Sequence, residues 1–302
     1  MQRRFWFLDQ HEALSVRVTD WLERLSSHAR RYRFIYGVVA LMLFVIGLWI
    51  SLRSLKFELT ELNLLPLVAN LLIGAPIAIC FNAMGLQVAG RITGISIGFF
   101  HAFHVTILAM VTNILPVPAG TILHSSALSA RGVGLAQAGG VILLGNLATL
   151  GLIATLVGVA LLDSMPALAI ILLIAGLPVF VGSVLVVKYT AGRALASAFV
   201  FLRLGRALIL VLRVQLCFLG IGVSVTLAEA VSISGAVILG SAAAIFPAGL
   251  GISEALAATM ATALSLAPAA AFMATALNRV STLVIAGMLV PFGFWRRGAG
   301  DA

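Results

Sequence analysis

Glu254 and Arg279 are the residues of this chain whose types and placement could do chemistry together. Glu254 follows Gly251 by three positions, beside a Pro/Gly-marked break in apolar sequence. Arg279 stands about ten residues into the last apolar run, hence roughly 15 Å deep at the helical rise, near the centre of a bilayer. A charge at that depth costs at least about 2.5–3.5 kcal/mol, so it needs a partner or a wet cavity. Two arrangements meet that need. The pair can be a structural tie between the break and the last helix. Alternatively, Arg279 meets an anionic headgroup or phosphate while Glu254 orients it and balances its charge.

The break beside Glu254 has an earlier counterpart. Asn113-Ile114-Leu115-Pro116-Val117-Pro118-Ala119-Gly120 returns 131 positions later as Ala244-Ile245-Phe246-Pro247-Ala248-Gly249-Leu250-Gly251. Pro removes a backbone donor and Gly disfavours helix, so each break frees peptide groups at membrane depth. Hydrocarbon cannot satisfy them, so such backbone survives only inside protein or beside a water-filled cavity. Paired breaks in two halves of a membrane chain point to a substrate path. Pro116, Gly120, Pro247 and Gly251 are therefore candidate site residues, together with His124, Glu254 and Arg279.

Other polar residues support weaker readings. His124 follows Pro116 by eight positions, and Asn146 lies in the next apolar run. His101 and His104 share a helix face at i, i+3, yet no nearby carboxylate or cysteine completes a metal site, so none is expected. Asn113 and Asn278 read as interhelical hydrogen-bonding residues. Cys80 and Cys217 read as small buried hydrophobes, with no disulfide or zinc spacing. Gly94-Ile95-Ser96-Ile97-Gly98 has the letters of G-x-S-x-G without the strand context that motif needs, and no P-loop or H-E-x-x-H occurs, so neither enzymatic chemistry nor a cofactor is implied.

The elements that must carry these residues are membrane helices. Of 302 residues, 62% are hydrophobic and 10% charged, with mean hydropathy +1.15. Soluble domains carry about 25% charged residues. Candidate full spans are about 34–52, 64–85, 137–160, 167–187, 207–228 and 270–292, each near the roughly 20 residues a bilayer requires. Two further stretches, about 95–130 and 232–264, hold a break near the middle and short arms on either side, as re-entrant helical hairpins would. The expected fold is all-α, with about six full spans and two re-entrant hairpins. Three spans separate the hairpins, so the second enters from the opposite face, as in an inverted repeat. Residues 114–138 match 245–269 at eight positions, including Pro116/Pro247 and Gly120/Gly251.

Residues 1–33 hold seven Arg, and Leu14, Val18, Trp21, Leu22 and Leu25 recur at helical spacing. This predicts an amphipathic helix on the cytoplasmic membrane surface, with a protein-docking surface as the alternative. The membrane domain is then 34–292, and 293–302 is a short cytoplasmic tail. With the amino terminus inside, a loop carrying Lys188, Arg193, Arg203 and Arg206 falls inside, as do Arg91, Arg131, Arg296 and Arg297. The turns at Asp163–Pro166, Glu229 and Leu266–Pro268 fall outside without Lys or Arg. The one outside loop with basic residues, 53–63, balances Arg53 and Lys56 with Glu58 and Glu61, and the layout fits the positive-inside rule. The net charge of +9 thus serves orientation and lipid headgroups, and nucleic acid is not an expected partner.

At the two breaks the chain resembles the flippase-like family, the membrane region of lysylphosphatidylglycerol synthases and their stand-alone relatives. That family tends to show N-x-L-P-G-R-x-G-E-x-x-R and, later, P-G-G-L-G-x-R-E. Here the first stretch runs from Asn113 to His124, and the second reads Pro247-Ala248-Gly249-Leu250-Gly251-Ile252-Ser253-Glu254. Pro118 and Thr121 stand where the family usually has Arg and an acid, His124 where a second Arg is common, and Ser253 in place of Arg. The resemblance covers roughly residues 35–292. It implies an inner-membrane protein with both termini cytoplasmic that moves a lipid or polyprenyl-linked amphiphile. Its partners would be membrane lipids with anionic or polyprenyl-phosphate headgroups. The lost charges favour an alternative, a non-transporting accessory subunit working with a membrane partner or a second copy of itself.

Overall fold

A computed structural model describes residues 38–39, 41–54, 62–112, 119–242 and 251–295. The amino-terminal segment 1–33, Pro116 and Pro247 lie outside the described residues. All regular structure among those described is helical. In chain order the helices are α1 Leu41–Ser54, α2 Leu64–Ile92, α3 Phe99–Thr112, α4 Ala119–Ser129, α5 Leu135–Ala160, α6 Pro166–Ala191, α7 Arg193–Gly220, α8 Leu227–Ala242, α9 Ile252–Ala263 and α10 Pro268–Trp295. Five of them, α2, α5, α6, α7 and α10, are long and apolar enough to cross a membrane. The chain is built as a multi-pass membrane protein.

Local chemistry sets the helix ends. Asn63 caps α2 by accepting from the Leu65 amide at 3.3 Å. Thr226 and Glu229 cap α8 reciprocally: the carboxylate accepts from the Thr226 amide at 2.7 Å, and the Thr226 hydroxyl accepts from the Glu229 amide at 3.3 Å. Pro166 and Pro268 open α6 and α10, where a missing amide proton costs nothing. Within α2 one turn widens to a π-helix over Asn70–Gly74, and the Ala75 amide donates to the Asn70 carbonyl five residues back. Pro76 follows at once. Its ring would clash with the carbonyl four residues earlier, and the wider turn relieves that conflict.

The boundary between α6 and α7 corrects the sequence layout. Lys188 lies in the last turn of α6, only Gly192 (φ 92°) separates the helices, and α7 carries Arg193, Arg203 and Arg206 in helix rather than loop. The span expected at 207–228 thus begins earlier and ends at Gly220. Arg is a good helix former, so its charge marks no helix boundary. Likewise Glu229 lies within the first turn of α8, and the turn itself precedes it. Of the span expected at 34–52, the described part is the short helix α1.

Helices α3 (14 residues) and α4 (11) pack together, as do α8 (16) and α9 (12). At about 1.5 Å per residue the described part of each runs to at most roughly 24 Å. Arg131, just past α4, donates to the Ser96 carbonyl just before α3 at 2.7 Å, so the open ends of that pair meet. In the second pair Gly240 abuts Ser253 near the break. The two halves also contact one another reciprocally. Helix α3 packs on α10 and α8 packs on α5, while α2 packs on α3 as α7 packs on α8. In the correspondence α2/α7, α3/α8, α4/α9, α5/α10 the long helices match in length (29 and 28, 26 and 28 residues), and α6 stands between the two sets.

Helix α6 is held mainly through α5, where Gly151, Gly158 and Gly176 let the backbones touch. A Cβ at Gly176 would stand 2.7 Å from the Gly151 carbonyl oxygen and 2.8 Å from the Ala154 Cβ. Backbone cannot yield as a flexible side chain can. Gly176→Ala should therefore lower stability by about 1–3 kcal/mol, measured by thermal unfolding in detergent. The open position Gly182 should accept the same change with little effect.

Candidate functional site

The second break gathers three of the sequence-derived candidates. Gly251, at φ 81°, is the residue before α9, a backbone state that suits glycine. Glu254, 1% exposed, uses its two carboxylate oxygens differently. Oε2 accepts from the Gly251 amide at 2.8 Å and closes the start of α9. Oε1 faces Arg279 Nε of α10 at 2.7 Å. Arg279 Nη2 also donates to the Ser253 hydroxyl at 2.7 Å. A negative group at a helix start is favourable in itself, so Glu254 both caps α9 and ties it to the last helix. Ser253, at the position where the resembled family carries Arg, belongs to the same cluster.

A second polar cluster lies between α2, α7 and α10. Arg213, buried in α7, donates through Nε to Asn70 Oδ1 at 2.9 Å. Its Nη2 donates to the Asn278 carbonyl at 2.9 Å and to the Thr282 hydroxyl at 2.7 Å. The Asn70 amide nitrogen donates in turn to Ser281 Oγ at 3.1 Å and Cys217 Sγ at 3.2 Å. Asn70 sits in the π turn of α2, and Gly74 leaves the room that the Arg213 stem occupies. The interhelical hydrogen bond expected of the Asn278 side chain is not found: its Oδ1 is buried without a partner among the described residues, and Arg213 reaches only its backbone carbonyl; Asn113 lies outside the described residues.

His124, on α4, is associated with a different set of charges. Arg206 of α7 lies within electrostatic reach of both His124 and Arg203. Arg203 donates from Nη1 to Thr149 Oγ1 at 3.1 Å, and its guanidinium lies 4.8 Å from the Phe199 ring centroid. Gly145 of α5 admits the guanidinium, since a Cβ there would stand 2.5 Å from Nη2. His124 Nε2 and Arg203 Nε are buried without a hydrogen-bond partner among the described residues.

The remaining candidates are placed more simply. Gly120 lies in the first turn of α4, and Asn146 is exposed on α5. His101 is exposed and His104 half-buried on α3. No group of metal-ligating side chains occurs among the described residues. Neither buried Arg203 and Arg213 nor half-buried Arg206 was recognisable as an interior group from charge pattern alone. Arg213 carried the clearest signal, because it interrupts an apolar stretch otherwise long enough to span. Comparison with protein-family models, with curated proteins and with solved structures finds no match to this chain.

Proposed function

We propose that this chain is a flippase-like inner-membrane protein that moves a lipid or polyprenyl-linked amphiphile across the bilayer, with both termini cytoplasmic. The observation that carries the proposal is the reciprocal packing of two helix sets, each holding a pair of packed helices on either side of a Pro/Gly-marked segment of the sequence. In this reading the two pairs are re-entrant hairpins. An odd number of crossings separates the sets, because α6 has no counterpart, and the repeat is therefore inverted. Such symmetry lets one fold open alternately to either face. The hairpin breaks then meet the headgroup at mid-depth. Glu254 keeps Arg279 charge-balanced there, and a phosphate-bearing headgroup would compete with Glu254 for the guanidinium. His124 supplies a further contact from the first hairpin.

A second reading has its own support. Both Glu254 oxygens are engaged, and Arg279 also binds Ser253, the pattern of a closed structural tie. That arrangement suits a non-transporting accessory subunit. Transport is tested in reconstituted vesicles with fluorescent anionic, zwitterionic and polyprenyl-phosphate lipids, scored against protein-free vesicles. Movement of at least one class supports the transporter, and movement of none favours the accessory role.

A further inference from the structure

Among the described residues the charges around His124 do not balance. Arg203 and Arg206 sit ten and thirteen residues into the 28-residue α7, so about 15 and 20 Å along a helix of about 42 Å. Both occupy its central third and share a face at i, i+3. No acid among the described residues neutralises them. Glu254 is committed to Arg279, Glu229 caps α8 beside Thr226, and Asp163 is exposed in the turn after α5. The undescribed break segments 113–118 and 243–250 contain no Asp or Glu. Arg203, only 8% exposed, spends one hydrogen bond on Thr149 and leaves Nε unpartnered. Arg206 makes no hydrogen bond or ion pair among the described residues. Two uncompensated guanidinium groups within the thickness of a membrane protein are costly, and an imidazole edge buried without a partner adds to that cost.

One kind of occupant answers all three groups. We infer that His124, Arg203 and Arg206 form an anion-binding site for a phosphate-bearing group, either the headgroup phosphate of a lipid or free inorganic phosphate. A phosphate offers several acceptor oxygens to two guanidinium forks and the imidazole, and its charge offsets theirs. A carboxylate has only two oxygens and one charge. The site rests on the transport proposal only for the source of a lipid ligand. A protein that binds phosphate yet moves no lipid keeps this site and loses the transport role.

The test uses the full chain in phosphatidylcholine nanodiscs, titrated with sodium phosphate in one arm and with farnesyl phosphate in the other. Binding is read by native mass spectrometry. The variants are Arg206→Gln, Arg206→Lys and His124→Gln, with Arg193→Gln at the exposed end of α7 as the surface control. Wild type should bind, Arg206→Gln should bind about tenfold more weakly or worse, and Arg206→Lys should recover part of the loss. Arg193→Gln should match wild type. Binding of farnesyl phosphate alone assigns a lipid source, whereas binding of both probes assigns a free phosphate group as sufficient. Should Arg206→Gln not fold, His124→Gln carries the comparison. The inference is overturned if wild type binds neither probe, if folded Arg206→Gln or His124→Gln binds like wild type, or if Arg193→Gln loses as much.

Discussion

Arg279→Ala should destabilise the protein by about 3–5 kcal/mol, the cost of leaving one member of a buried ion pair alone. Glu254 would remain 1% exposed, with its Oε1 facing no cation, while Ser253 would lose its guanidinium donor. The contact ties the start of α9 to α10, because Glu254 also accepts from the Gly251 amide there. Glu254→Gln should cost less than Arg279→Ala, since an amide oxygen can still accept from Gly251. The double variant Glu254→Gln/Arg279→Gln should be more stable than independent losses would give, because each change relieves the stranded charge the other creates. Thermal unfolding in detergent at matched protein concentration measures all four proteins, and the cycle gives the coupling. Additive losses would mean that the 2.7 Å contact carries no coupling.

Arg213→Ala should be at least as damaging. It strips the donor from Asn70 Oδ1, the Asn278 carbonyl and the Thr282 hydroxyl together. Asn70 Oδ1 is left buried without a donor, at a cost of about 1–3 kcal/mol, whereas the Asn278 carbonyl still accepts from the Thr282 hydroxyl at 3.1 Å. The guanidinium also bridges the π turn of α2 to α10, so its loss should loosen two helices. Arg213→Lys should rescue little, because an ammonium is a point charge and cannot direct Nε and Nη2 donors to different helices. Asn70→Ala should be milder, as Arg213 keeps its two partners on α10. Yield of monodisperse protein and the midpoint of thermal unfolding would both record this order. Equal stability of Arg213→Lys and wild type would show that charge alone, rather than the fork, holds the cluster.

The reach of the sequence differed between the two breaks and the long helices. Pro and Gly act on the backbone locally, so the glycine needed at 251 was legible, while most of both breaks lies outside the described residues. Glu254 and Arg279 were legible as a pair because each stood alone in apolar sequence. The start of α7 was not. Arg203 and Arg206 read as loop residues under a charge rule, yet Thr149, Phe199 and the gap left by Gly145 accommodate Arg203 inside the bundle. Those partners lie more than fifty positions away on another helix or one turn away on the same one, and no local pattern announces the first. The cluster around Arg213 has the same origin: Asn70 is 143 residues distant. Hydropathy locates spans, but it does not say which polar side chains within them will meet.

The central claim is that the tie at the second break takes part in moving lipid, beyond holding the bundle together. The most direct measurement compares wild type with folded Glu254→Gln/Arg279→Gln in the vesicle assay, using whichever fluorescent lipid the wild type moves. The double variant has no stranded charge, so its fold is retained while its guanidinium is gone. Movement should fall by at least about tenfold, the loss expected when a charge-assisted contact to the headgroup is removed. Movement at the wild-type rate would contradict the claim and leave Glu254 and Arg279 as a structural tie alone.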